Sequence, residues 1–367
     1  MATGYKFEGW VGEDASSAKG NLVWKEFNPK RWEETDVDIQ VTHSAICGSD
    51  IHTLSNGWVN PSSLLPTFPC VVGHEIVGKV LRVGSRVDNV AVGDIVGVGC
   101  QSDSCLSRDG PCEACESQTE NYCPKRVSTY NSVHRNGDFA QGGYSLYHRC
   151  PAFFVVKLPP GITPEHASPM LCGGLTVFSP LKRYNAGPGK SVGITGVGGL
   201  GHFGILFAKA MGASKVVAIS RNFNKKQDAL ELGADDFIAS SEDKDWASKY
   251  ARSLNIIINT TSSAKMPLAQ YINLLKLGGV FVQLGAPDDP LTLNAFTLIR
   301  SKVHLTGSYI GSRKDIHEMF ELAAAKKIEP WVQLRPIQEA NEAIVDMENG
   351  LARYRYVLTN EGFEERH

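Results

Sequence analysis

Four cysteines, Cys105, Cys112, Cys115 and Cys123, fall within 19 residues of a 367-residue chain, in the run CLSRDGPCEACESQTENYC. Thiolates at such short spacing suit a tetrahedral soft metal, zinc above all, and a closed four-sulfur site holds a fold together rather than doing chemistry. Six residues separate Cys105 from Cys112. Cys100, a little further upstream, therefore competes for the place of the first ligand. Two disulfides are the alternative use of four thiols. They are disfavoured because the start, MATGYKFEGWVGEDASS, has neither a basic n-region nor an apolar h-region and does not read as a secretory signal. The expectation is a cytoplasmic protein with reduced thiols.

The charge balance is 37 − 39 = −2 from 37 Lys plus Arg against 39 Asp plus Glu. That leaves no net field to hold nucleic acid or an anionic membrane. No apolar run approaches membrane-spanning length. The length exceeds one ordinary core, so two domains are expected.

Residues up to about 150 are rich in Gly and Pro and carry short β-like runs, VDIQVTHSAI, HEIVGKVLRVG and DIVGVG, bounded by turn residues. These predict a partly open barrel or sandwich. After Pro159-Pro160 the pattern changes. KSVGITG, KVVAIS, DFIAS, NIIINT, VFVQLG and KVHLTG read as buried strands, with LGHFGILFAKAMGA and NKKQDALELGA as helices between them. Such alternation predicts a parallel sheet with right-handed crossovers. KDIHEMFELAAAKK reads as a late helix, and the closing RYRYVL fits the first domain, so the second domain is an insertion.

Gly196-Val197-Gly198-Gly199-Leu200-Gly201 is a GxGxxG turn that follows a strand and opens a helix. Gly196 permits the tight turn, Gly198 lets the backbone approach a pyrophosphate, and Gly201 lets helix and strand pack. The exposed N–H groups at the helix start bind the anion. The next strand ends in Ser220-Arg221, with Lys225 a turn later, and its end offers no carboxylate for a ribose 2′-hydroxyl. A hydroxyl and two cations suit a 2′-phosphate, so NADP(H) is the expected cofactor.

Cys47-Gly48-Ser49-Asp50-Ile51-His52, Gly73-His74-Glu75 and Leu171-Cys172-Gly173-Gly174 are weak signals singly. Together with the cysteine run, the glycine turn, QGGY, LCGGLTVFSPL and RYRYVL, all in order along nearly the whole chain, they resemble the zinc-containing medium-chain dehydrogenase/reductase superfamily. The branch most similar is the cinnamyl-alcohol-dehydrogenase-like one, with its NADP-dependent alcohol dehydrogenases. The resemblance implies an α/β protein. A GroES-like β-rich catalytic domain would comprise residues 1–165 and 311–367, and a Rossmann doubly wound domain residues 166–310. It implies two zinc ions per chain: a catalytic one on Cys47, His74 and Cys172, and a structural one on Cys105, Cys112, Cys115 and Cys123. Glu75 would be an alternating ligand or the partner of an arginine. Asp50 would orient His74, or cap a helix start. Ser49 would hydrogen-bond the substrate oxygen, and His52 would relay the proton outward. Thr176 would belong to the cofactor site. Cys70 and Cys150 read as buried apolar residues.

The implied reaction moves a hydride between NADP(H) and an aromatic or medium-chain aldehyde or alcohol. The family also implies a homodimer. Ser128 stands where plant lignin-pathway members carry a pocket tryptophan, so a cinnamyl substrate is not required. Trp58, in a long loop before GHE, is the candidate pocket aromatic. Two other functions compete: a relative that reduces an activated C=C bond or oxidises a polyol, and a non-catalytic NADPH-binding scaffold.

Overall fold

Asp36–Ala45 is the spine of the β-rich part. Its alternation buries Val37, Ile39 and Val41 on one face, and it pairs with three other strands. The protein's structure is a computed structural model that describes residues 4–56 and 68–360. The chain gathers into two compact units. One comprises Met1–Cys172, Ser312–Ala325 and Trp331–His367; the other comprises Gly173–Gly311 and Lys326–Pro330.

In the first unit a sheet runs in the order Val332–Pro336, Arg355–Thr359, Asp36–Ala45, Ile76–Val83, Ile95–Val98, Val155–Lys157, with Tyr147–Pro151 also paired to Asp36–Ala45. Val37, Ile39, Val41, Ile76, Val80 and Val96 form one core. Ile46, Val72, Tyr144, Ile344 and Leu358 belong to another. The RYRYVL run joins this sheet: Val357 lies opposite Ala45 and Thr359 opposite His43, antiparallel. That register brings the last strand alongside the segment that leads into Cys47.

The second unit holds six parallel strands in the order Asp236–Ala239, Lys215–Ser220, Ser191–Thr195, Leu254–Asn259, Leu275–Gln283, His304–Gly307. Numbered along the chain this is 3-2-1-4-5-6, the Rossmann order. The inner strands read as continuous apolar runs, Val216–Ile219 and Ile256–Ile258 among them, all buried. A parallel sheet covered on both faces demands such runs.

Candidate metal and cofactor sites

Cys47 lies two residues past the strand Asp36–Ala45 and, in an extended conformation, starts the helix Gly48–Leu54. Asp50 caps that helix: its Oδ2 accepts the Cys47 N–H at 2.9 Å. The same oxygen accepts the Tyr144 hydroxyl at 3.1 Å. Oδ1 accepts the Gly73 N–H at 3.2 Å and lies 3.2 Å from His74 Nδ1. Capping a helix and orienting His74 are therefore one role for one fully buried carboxylate. The Tyr130 hydroxyl also lies 3.2 Å from His74 Nδ1. With Nδ1 engaged, Nε2 is left facing the cluster. It is buried and has no hydrogen-bond partner among the described residues.

Cys172 arrives from a π-helical turn, Met170–Gly174, a local irregularity common at functional positions. Its Sγ is 3.9 Å from Cys47 Sγ. One donor atom each from Cys47, His74, Glu75 and Cys172 lies within 4.8 Å of all the others, and all four residues are buried. An orphaned imidazole nitrogen beside two thiols is costly to bury in a protein interior. The same set fits a tetrahedral zinc ion, with the Asp50 contact fixing the histidine tautomer. Hydrogen bonding from Cys172 holds the Cys47 thiol well below its usual pKa, against the effect of burial. Burial works against a His74 cation, yet the negative ends of Cys100, Tyr130, Asp50 and Cys47 raise its pKa well above the ordinary value.

Glu75 also accepts a hydrogen bond from Arg355 Nη2, in an ion pair whose side chains are almost wholly out of water. Arg355 Nη2 donates in addition to the Ile46 carbonyl at 3.0 Å. Sequence reasoning used RYRYVL to assign the strand to its domain and as one motif of the resemblance, and it gave Glu75 an arginine partner as an alternative role without saying which arginine. A signal for more was present: an arginine between tyrosines in a strand bound for a sheet interior needs a buried acid.

Ser49 Oγ is 3.7 Å from Cys47 Sγ. His52 lies in the last turn of the same helix, half-buried. Ser128 pairs with Gln101 across a short ladder, and its Oγ accepts from Arg126 at 3.2 Å. Trp58 lies outside the described residues. Cys70 and Cys150 are buried in apolar surroundings, which push the Cys70 thiol up to about 12.

In the cysteine loop, Cys105 Sγ is 3.5 Å from both Cys115 Sγ and Cys123 Sγ, and Cys112 Sγ is 3.9 Å from Cys123 Sγ. All four sulfurs lie within 4.8 Å of one another. Cys105, not Cys100, therefore stands with this group. The Cys115 backbone N–H, with help from the neighbouring thiols, lowers the Cys112 thiol to about 7. Four free thiols converging this tightly fit a closed zinc site.

In the second unit Gly196 has φ +83, a left-handed conformation. A Cβ on Gly201 would stand 1.7 Å from the Gly196 carbonyl oxygen, so only glycine fits that helix start. A Cβ on Gly198 would meet nothing within 4 Å, which leaves its backbone open to a ligand. The Gly199 carbonyl lies 2.9 Å from His202 Nδ1, and Leu200 leads into the helix Gly201–Ala210. Lys225 Nζ donates to the Val197 carbonyl at 2.9 Å, tying the basic segment to the glycine turn. Ser220 ends its strand and its carbonyl accepts from Ser240 N–H at 2.8 Å, while Arg221 is exposed. One acid does reach this loop from the turn that follows the neighbouring strand Asp236–Ala239: Glu242 Oε2 accepts the Phe223 N–H at 3.0 Å. Thr176 is buried in the helix Leu175–Arg183.

A β-rich unit with two thiol-bearing clusters and a Rossmann unit with a phosphate-type turn define a zinc-type dehydrogenase. Residues 33–160 match the family described as "Alcohol dehydrogenase GroES-like domain", and residues 199–325 match "Zinc-binding dehydrogenase". NADP-dependent alcohol dehydrogenase 6 of Saccharomyces cerevisiae is 40% identical over 364 residues, covering 96% of each chain. A probable mannitol dehydrogenase of Mesembryanthemum crystallinum is 40% identical over 352 residues, 95% of this chain and 93% of that one. Among solved structures, a cinnamyl alcohol dehydrogenase from Sorghum bicolor superposes with a TM-score of 0.90 at 36% identity, over 98% of both chains. The one from Helicobacter pylori, complexed with NADP(H), gives 0.87 at 30% identity, over 97% of this chain and 99% of that one. The chain belongs to the zinc-containing medium-chain dehydrogenase/reductase superfamily, in its cinnamyl-alcohol-dehydrogenase-like branch.

Proposed function

We propose that this protein is a zinc-dependent alcohol dehydrogenase that uses NADP(H) and works chiefly as a reductase of aromatic or medium-chain aldehydes. The observation that carries the reading is the buried cluster of Cys47, His74 and Cys172, with His74 Nε2 turned toward the two sulfurs and paired to nothing else described. When bound, zinc supplies a Lewis acid at the substrate oxygen, and NADPH supplies the hydride. Asp50 fixes His74 through Nδ1 and fixes Cys47 through its N–H. Ser49 Oγ, at the start of the helix and beside Cys47, holds the proton that the new alcohol takes. His52, a turn further on, returns it from solvent. Cys105, Cys112, Cys115 and Cys123 hold the second, structural zinc, giving two per chain.

In the second unit the glycine turn Gly196 to Gly201, including Gly199 and Leu200, receives the pyrophosphate. Ser220, Arg221 and Lys225 receive the 2′-phosphate, and Thr176 completes the cofactor site. The first unit is the catalytic domain and the second the cofactor domain. A homodimer through the edge strand His304–Gly307 is supported by the exposed apolar side chains of Leu277, Phe296, Ile299 and Leu305 around it. Nine free cysteines favour the cytoplasm, and no described helix is long and apolar enough to cross a membrane. A polyol is the second substrate reading, favoured by the mannitol dehydrogenase relatives.

The test is a panel of aromatic, medium-chain and sugar aldehydes followed by NADPH absorbance, with zinc counted on the same sample. Turnover with two zinc ions per chain is expected. No turnover with one zinc would leave a scaffold. Arg221→Ala should raise KM for NADPH on the order of tenfold, about 1.4 kcal/mol of lost phosphate pairing, and leave KM for NADH unchanged. An equal change for both cofactors would move the phosphate pocket elsewhere.

A further inference from the structure

Thr195, Asn259 and Gln283 are the last residues of three adjacent parallel strands, and Asn259 stands between the other two in register. Thr195 and Asn259 are fully buried, and between their strands the strand order of the second unit reverses. In an open parallel sheet a dinucleotide lies in the crevice outside the carboxyl ends of the strands, at that reversal. Polar groups buried beneath the crevice need internal partners, and Asn259 is paired at every position a carboxamide offers. Its Oδ1 accepts the hydroxyl of Thr195 and, at 2.8 Å, that of Thr261. Its Nδ2 donates to Gln283 Oε1 at 2.8 Å and to Met266 Sδ at 3.2 Å. Gln283 extends the chain of bonds, donating from Nε2 to the Gly285 carbonyl at 2.6 Å.

The backbone around Asn259 repeats the same ties. The Thr260 hydroxyl donates to the Thr195 carbonyl at 2.7 Å and lies 3.0 Å from the Gly196 carbonyl. The Asn259 carbonyl accepts the N–H groups of Leu284 at 2.9 Å and Gly285 at 3.1 Å. A Cβ on Gly285 would stand 2.1 Å from the Thr261 carbonyl oxygen, so those two loops touch. A doubly wound sheet is built of two mononucleotide-binding halves, and the half that carries the glycine turn takes the adenosine end. Gly196 belongs to that half, whereas Thr261 and Gly285 follow strands of the other. Resting on the NADP(H) reading above, we propose that Asn259 is a positioning residue that locks the two halves of the cofactor crevice together. It holds the pyrophosphate turn and the loops of the nicotinamide half at the spacing of one dinucleotide. It acts through Gly196, Thr261 and Gly285 and touches no cofactor atom itself.

The test compares a whole dinucleotide with half of one. Calorimetry on the whole enzyme measures Kd for NADPH and for 2′,5′-ADP, which carries the adenosine end and its 2′-phosphate but no nicotinamide half. Asn259→Leu nearly keeps the side-chain volume and removes its hydrogen bonds. Gln283→Met removes only the arm to Gly285 and decides the matter alone if the first variant does not fold. Kd for NADPH is expected to rise on the order of tenfold in Asn259→Leu and about threefold in Gln283→Met, while Kd for 2′,5′-ADP stays within about twofold. NADH should weaken by the same factor as NADPH, unlike in Arg221→Ala, where NADPH alone weakens. Equal weakening of NADPH and 2′,5′-ADP, or a lowered Tm with both constants unchanged, would assign Asn259 to the stability of the sheet and overturn the positioning role. An unaltered enzyme that binds NADH but not NADPH would overturn the choice of cofactor, and the same comparison made with NADH and AMP would still decide the role of Asn259. One that binds neither dinucleotide overturns both.

Discussion

Cys105, Cys112, Cys115 and Cys123 come from one loop, while Cys47, His74, Glu75 and Cys172 come from three separate segments and are all buried. The loop cluster is half-exposed and uses one kind of donor. It is set by local turns, such as the short helix Glu113–Glu116 that follows Cys112. The second cluster mixes sulfur, imidazole and carboxylate, and it is held by partners from across the unit: Asp50, Tyr130, Tyr144 and Arg355. A local cluster organises its own loop. A dispersed cluster can form only after the sheet has folded, so the fold supports it rather than the reverse.

Substitution at each cluster should separate these roles. Cys47→Ala or Cys172→Ala is expected to lower kcat/KM on the order of a thousandfold or more, about 4 kcal/mol of lost transition-state stabilisation, with circular dichroism unchanged. Cys112→Ser should instead lower stability first, by about 3 kcal/mol, seen as a drop of roughly 6–12 °C in Tm. A stable but inactive Cys112→Ser protein would reverse the assignment. Normal activity in either of the first two would remove the catalytic zinc.

The same contrast explains what could be read from the chain. The loop cluster, the glycine turn and the alternating strands of the second unit are patterns within a few residues. Their physics is local, and the parallel sheet from Ser191 to Gly307 follows the apolar runs segment by segment. The first unit is less legible. Val332–Pro336 alternates in sequence, VQLRP, but it is short, ends in proline and buries no side chain fully, because it lies at a sheet edge with Leu334 exposed. Cys100 reads in sequence as a rival to Cys105, since the two lie near each other along the chain. What separates them is the close passage of Gly99 against Leu171, a contact between residues 72 positions apart (171 − 99). The pairing of Glu75 with Arg355, residues 280 positions apart, is likewise invisible until Arg355–Thr359 docks against Asp36–Ala45.

That ion pair gives the next test. Arg355→Met strands the Glu75 carboxylate in a buried site and should cost about 3–5 kcal/mol. Glu75→Gln combined with Arg355→Met should recover much of the loss, because the two partners share one interaction. Urea titrations of the two single variants and the double variant measure the coupling. Strict additivity would mean that the two side chains act independently and that Glu75 is held by something else.

Acid is the simplest way to strip either cluster, but it also acts on the sheet that carries the dispersed one. His148 is buried in a strand of that sheet and His134 in a loop of the same unit, and burial pushes each down to about 4 from an ordinary value of 6.5. Lys30 adds to the effect at His134 and His134 itself adds to it at His148, with Asp138, Glu33 and Asp38 opposing. A histidine with a lowered folded-state pKa favours the fold in its neutral form. Its contribution is therefore complete above about pH 6.5 and is lost progressively as pH falls toward 4. The loss is up to about 3 kcal/mol for each histidine. His148→Gln cannot take up that proton and should flatten the decline between pH 6.5 and 4, with little change at pH 8 beyond a fixed offset. If the decline keeps its full slope in His134→Gln and His148→Gln together, the acid response belongs to the metal clusters instead. Zinc release measured at each pH would then show which of the two clusters yields first.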